Sequence, residues 1–259
     1  MSSIPEVPEA SDAAPAIGEY GQGDVATSVV SMSRRHAEGH DAEYLEWHML
    51  DHLPEQYRLP GLRLGQRWVS TPACRQARIV SEAPYADVDH IVQYLFAEPV
   101  GVGLDRFFPL GAALRRIGRM PMALPRVQVG GWELVDTRAA PRVLVGAAVV
   151  PWRPALGVFV LVERNVSPPG TGGDGLDRLV DVPGVAGAWC WAGAAPRHER
   201  LDSTAGLGLT VCYLDGPALE VAPALGPVLA RRWAEGKLLP LLAAPFELVT
   251  PGQWDRHRP

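Results

Sequence analysis

The chain has no apolar run long enough to span a bilayer. Its longest, residues 143–151 and 238–246, fall far short of the roughly 20 residues that a membrane helix needs. It also lacks any block of basic residues, and the net charge is −5, which argues against nucleic acid or an anionic membrane as the main partner. Cysteine is scarce: Cys74, Cys190 and Cys212 are odd in number and widely spaced, which fits buried thiols in a reducing cytoplasm and not a disulfide framework. There is no Cys-x-x-Cys pair, so no structural zinc site is expected. No Gly-x-Ser-x-Gly elbow occurs. The glycine-rich run at 170–175 lacks the Gly-Lys-Ser/Thr ending of a phosphate loop and reads as a flexible connector. The first 24 residues lack the basic start and apolar run of a secretion signal and read as a disordered tail. With 47% hydrophobic and 20% charged residues, the chain has the composition of a globular protein with a full core.

Against these absences stands one dense stretch, residues 41–61 (DAEYLEWHMLDHLPEQYRLPG). It reads as a single amphipathic helix over 41–57, with Asp41 as its N-cap and Pro60-Gly61 as its stop. Tyr44, His48 and His52 recur every four residues and share one side. Leu45, Met49 and Leu53 form the adjoining stripe, expected to be the buried seam. Asp51 is three residues from His48 and is expected to orient it.

The elements around this helix read β-α-β-β-α-β: strands at 24–32, 62–70, 90–96 and 127–135, with a second helix at 101–118 broken at Pro109. This is the order of a ferredoxin-like module. It recurs from about 141 onward, opened by a strand at either 143–150 or 158–164, with a helix at 174–180, strands at 185–192, 207–214 and 244–249, and a helix at 217–235. Local matches follow the same order, among them Tyr94-Leu95 with Tyr213-Leu214 and Arg115-Arg116 with Arg231-Arg232. The expected fold class is therefore α+β: two tandem ferredoxin-like modules whose antiparallel sheets pack into a pseudo-twofold α+β barrel. Residues 25–140 form the first module, 141–252 the second, and 253–259 a tail.

The pattern Tyr44-x-x-Trp47-His48-x-x-x-His52-x-Pro54, then Leu59-Pro60-Gly61 and a strand, resembles the EthD-like members of the dimeric α+β barrel superfamily. That resemblance implies a pocket between the helices and the sheet of one module, with His or Tyr as acids and bases. The second module departs from it, since its first helix (DGLDRLV) has no His, Tyr or Trp. The tandem chlorite dismutase and coproheme decarboxylase family shares the double-module plan and binds haem, but no histidine lies on a helix of the second module.

On this basis His52 is the expected proton carrier, its ordinary pKa suiting acid–base work near neutrality, with His48 and Tyr44 holding a carbonyl or enol oxygen. Trp47, Trp68 and His90 are expected around the substrate. The pairs His36/His40 and His48/His52 have metal-ligand spacing, but no His-Glu-x-x-His accompanies them, so no metal is expected. The expectation is a cytoplasmic, cofactor-free lyase, cyclase or isomerase acting on a small carbonyl compound of aromatic, polyketide-like or keto-acid type. It would be a monomeric pseudo-dimer or a homodimer. A binding protein of the same fold and a haem-binding tandem barrel are the alternatives.

Overall fold

The computed structural model describes residues 25–98, 100–166 and 174–259. The expected tail at 1–24 and residues 170–173 of the glycine-rich connector lie outside the described residues, whereas residues 174 and 175 of that run open a helix. The first half runs β1 (Val25–Ser33), α1 (Asp41–Trp47), a π-helical turn (His48–His52), α2 (Leu53–Gln56), β2 (Leu62–Val69), α3 (Pro72–Gln76), β3 (Val80–Ser81), β4 (His90–Ala97), α4 (Val100–Arg116) and β5 (Arg126–Ala139). The second half runs β6 (Gly157–Asn165), α5 (Asp174–Val180), β7 (Val185–Gly193), β8 (Leu207–Leu214), α6 (Ala218–Ala234) and β9 (Leu238–Leu248).

Among the described residues the strands form one nine-stranded antiparallel sheet in the order β2-β4-β1-β5-β7-β8-β6-β9-β3, and β2 also pairs with β9. The order β2-β4-β1-β5 in one half matches β7-β8-β6-β9 in the other, strand for strand. The halves are joined along β5 and β7, from Trp132↔Gly193 to Ala139↔Gly187, and closed at Trp68↔Leu248 and Val69↔Glu247. Closure leaves no long bare edge and gives the α+β barrel plan expected from the sequence. Alternation along the strands sends one set of side chains inward. Val30, Met32, Ile91 and Leu95 meet Val160, Trp189, Trp191 and Val211 in a single shared core. The other set lies under the helices, in separate clusters for each half.

Several elements differ from expectation. β6 opens the second half, because Val158–Val162 is apolar and wholly buried, whereas 147–152 forms a 3-10 helix containing Pro151. β5 continues past 135 because its last residues pair with β7. Helix α4 runs unbroken through Pro109, which lies on its exposed side, where water can take the carbonyl that proline leaves unpaired. Gly61 and Gly184 occupy matching turns at φ +78° and +89°, so both copies of the Pro-Gly turn need glycine. The Tyr94–Tyr213 match is not structural: Tyr94 lies under the helices and Tyr213 faces the barrel interior, one residue out of phase. The final residues are not a tail. Trp254–His257 forms a 3-10 turn, Trp254 packs beside Leu45, and His257 Nε2 accepts from the Thr250 amide at 3.0 Å.

Candidate functional site

The row of rings does not sit on a plain α-helix. From His48 to His52 the backbone widens into a π turn, and the Leu53 N–H donates to the His48 carbonyl five residues back. This splits the expected seam. Leu45 packs with Val69 and Val249, Leu53 packs with Val92, Tyr94 and Phe96, and Met49 is left between the two clusters. The rings nevertheless stay together: His48 and His52 are 5.5 Å apart between centroids, Tyr44 and His48 6.0 Å, and Trp47 stacks on His52 at 5.1 Å.

They line a cavity of about 320 Å³ between the helices and the sheet of the first half, at the small end of the range for ligand pockets. Its polar side holds Tyr44, His48, His52, Gln56, Arg67 and Tyr94; Phe107, Phe108, Met120 and Met122 make an apolar wall. The wall-forming loop is tied down by Trp47 Nε1 donating to the Arg119 carbonyl at 3.0 Å. The second half also reaches the cavity: Arg200 lines it, and His198 stacks on Phe108 at 4.1 Å.

Within the cavity His48 Nε2 lies 3.0 Å from the Tyr94 hydroxyl, and His52 Nε2 lies 3.0 Å from the Gln56 amide nitrogen, which donates to it. Arg67 Nη2 donates to the Tyr44 hydroxyl at 3.1 Å. Burial, then the Arg67 charge, holds the His48 imidazolium well below its ordinary range. The same two causes bring His52 down to about 4. Burial raises the Tyr94 phenol, which stays protonated. At neutral pH His48 and His52 are therefore neutral imidazoles and Tyr94 a neutral phenol, beside the Arg67 guanidinium. His48 Nδ1, His52 Nδ1, Gln56 Oε1 and Arg67 Nε are buried with no protein partner. Four such atoms around one cavity call for a ligand or water.

A scan against family models finds no match, and a search among curated proteins finds none. Solved structures do resemble the chain. An anthrone oxidase-like protein is 12% identical, with 89% of this chain and 93% of that chain covered and a TM-score of 0.46. A chlorite dismutase-like protein is 13% identical, with 91% and 100% covered and a TM-score of 0.49. A monooxygenase-like protein from Lactobacillus acidophilus is 11% identical, with 87% and 93% covered and a TM-score of 0.42. Those names belong to those proteins; the chemistry of this site rests on its own side chains.

Of the residues expected at the site, Tyr44, Trp47, His48 and His52 line the cavity, and two do not. Trp68 lies on the opposite face of β2, buried in the barrel core, because strand alternation sends it inward while its neighbour Arg67 faces the helices. His90 stands behind Tyr44, at 6.1 Å between rings, and bonds through Nε2 to Asp41 at 2.8 Å. Asp41 is therefore no N-cap: it also accepts from the His36 amide at 2.8 Å, and although burial raises its pKa, the bonds from His90 and His36 more than offset this and hold it ionised. Asp51 does not orient His48. It points outward and pairs with Arg119 at 3.0 Å.

Arg67, Tyr94 and Gln56 were not expected at the site. Strand alternation carried a signal for Arg67, since it is in phase with Gly65, which meets Leu53 and Tyr94 on the helix-covered face of β2, and out of phase with Trp68. The matching interface of the second half is filled by Leu176, Leu179, Val221 and Leu225, and neither α5 nor α6 carries a histidine, so it does not fit a histidine-ligated haem. Among the described residues no group of three His, Cys, Asp or Glu side chains is placed to hold a metal ion, and no helix is long and apolar enough to cross a membrane.

Proposed function

We propose that the first-half cavity is the active site of a cofactor-free acid–base enzyme of lyase, cyclase or isomerase type, EthD-like in its helix motif and acting on a small carbonyl compound. The observation that carries this is the pair of buried imidazoles, held neutral, beside an apolar wall of ligand-pocket size. With the Gln56 amide turned so that its oxygen accepts from Nε2–H, His52 takes the proton at Nδ1, which has no protein partner, its ring fixed between Trp47 and Gln56. The Tyr94 hydroxyl, bonded to His48, and the Tyr44 hydroxyl, bonded to Arg67, are the donors for a carbonyl or enol oxygen. Three free cysteines support a reducing, cytoplasmic setting. The internal pairing of the two halves supports a monomer that supplies its own barrel partner.

The test begins with a thermal-shift screen of aromatic acids, β-keto acids and lactones, followed by turnover assays on the binders. His52→Ala is expected to lose about 10²- to 10⁴-fold in kcat while still binding, the usual worth of a general base. Full turnover by His52→Ala sinks the assignment. Binding without turnover by the wild-type protein converts the cavity into the site of a binding protein.

A further inference from the structure

Arg67 is 3% exposed and lines the cavity. Its guanidinium lies 4.9 Å over the Tyr44 ring, Nη2 reaches only the Tyr44 hydroxyl, and Nε has no partner. Among the described residues no carboxylate pairs with it. The second half has a partly buried arginine between sheet and helix and treats it differently. Arg232 Nε and Nη2 donate to Glu163 Oε1 and Oε2 at 2.9 and 2.8 Å, a two-pronged pair. A permanent cation buried without a counter-charge is strongly unfavourable, and folds rarely leave one so. The neighbouring His48 and His52 cannot compensate it, being neutral or cationic. Tyr44 accepts from Arg67, so its own proton remains for another acceptor.

We infer that the cavity takes a small organic anion, its carboxylate seated on Arg67 and the Tyr44 hydroxyl and its apolar body against Phe107, Phe108 and Met122. This rests on the cavity being a small-molecule site, and it narrows the substrate class to carboxylic acids. It also narrows the reaction. A carboxylate held by Arg67 is bound more tightly as the ground-state anion than as departing carbon dioxide, so Arg67 opposes loss of that same group. The seated carboxylate is a handle, and the proton moved by His52 belongs to another carbon or oxygen of the substrate.

The probes are matched pairs, 1-naphthoate with 1-naphthamide and phenylpyruvate with its amide, titrated onto the full chain and followed by tryptophan fluorescence. The wild-type protein is expected to bind at least one acid tenfold or more tighter than its amide. Arg67→Met, which keeps an unbranched apolar stem, is expected to erase that preference while leaving amide binding within about twofold. Without ligand, Arg67→Met is expected to raise Tm by about 2–4 °C, since it removes an uncompensated buried charge. Equal binding of acid and amide, or of neither, by the wild-type protein overturns the inference, as does a preference that survives Arg67→Met. These outcomes are separate from the acid–base proposal: His52→Ala is expected to keep the acid preference, so loss of turnover there and loss of preference in Arg67→Met report on different residues.

Discussion

His52 is held by contacts that keep its ring neutral at neutral pH. Trp47 stacks on one face, Gln56 bonds Nε2, and burial followed by the Arg67 charge brings its pKa to about 4; Asp51 acts in the opposite sense but is drawn away by Arg119. The base form is thus present from neutrality down to about pH 5. An NMR titration of the imidazole should give a midpoint near 4 in the wild-type protein, and Arg67→Met should move it upward but not as far as 6.5, because burial remains. A wild-type midpoint near 6.5 would mean that the ring is hydrated. The ring row itself was legible, because four-residue spacing places Tyr44, His48 and His52 together on any helix. Arg67 and Tyr94 were not. Arg67 shares its strand with the exposed Arg63 and looks like a second solvent residue until both faces of the sheet are known to be covered, and Tyr94 lies in a strand buried along its whole length.

Among the elements, the π turn does most to shape the site and was least visible beforehand. A 3.6-residue template predicts one continuous seam through Leu45, Met49 and Leu53, yet the widened turn divides that seam between two clusters. No residue type marks a π turn in sequence; it arises when packing on either side fixes a helix in two phases one residue apart. The strand order, by contrast, was legible from the β-α-β-β-α-β pattern, and the second copy confirmed the turn through Gly184. Leu50 is 60% exposed in the π turn and contributes nothing to the core. Deleting it should let the segment relax to α-helix while the flanking turns keep their phase. The expected result is a variant that unfolds near the wild-type denaturant midpoint and still binds the preferred acid but turns over at least tenfold more slowly, because His52 moves relative to His48. Unchanged turnover in a folded deletion variant would show that the π turn does not aim the ring.

At the scale of the whole molecule, the closed barrel stabilises a site that burial itself makes costly. His48, His52, His90 and His257 are all buried, and burial is the leading cause of the lowered pKa in each. The unfolded chain exposes them at ordinary values near 6.5 and binds more protons than the folded chain below that pH, so stability is complete above 6.5 and falls as pH drops toward the folded values. Asp41, whose pKa is lowered from 3.8, acts only at more acid pH and does not offset this window. For His52 alone, moving from 6.5 to about 4 amounts to about 2 kcal/mol of stability lost between pH 7 and pH 5, and the other three act in the same direction. Urea unfolding at pH 7, 6 and 5 should therefore show a falling midpoint, with more than one proton taken up on unfolding near pH 5. His52→Gln should flatten the slope in part, since it removes one of the four groups without removing the barrel. A midpoint that stays level from pH 7 to pH 5 would mean that the imidazoles already meet water in the folded chain. The neutral bases on which the proposed chemistry depends would then be absent in mild acid.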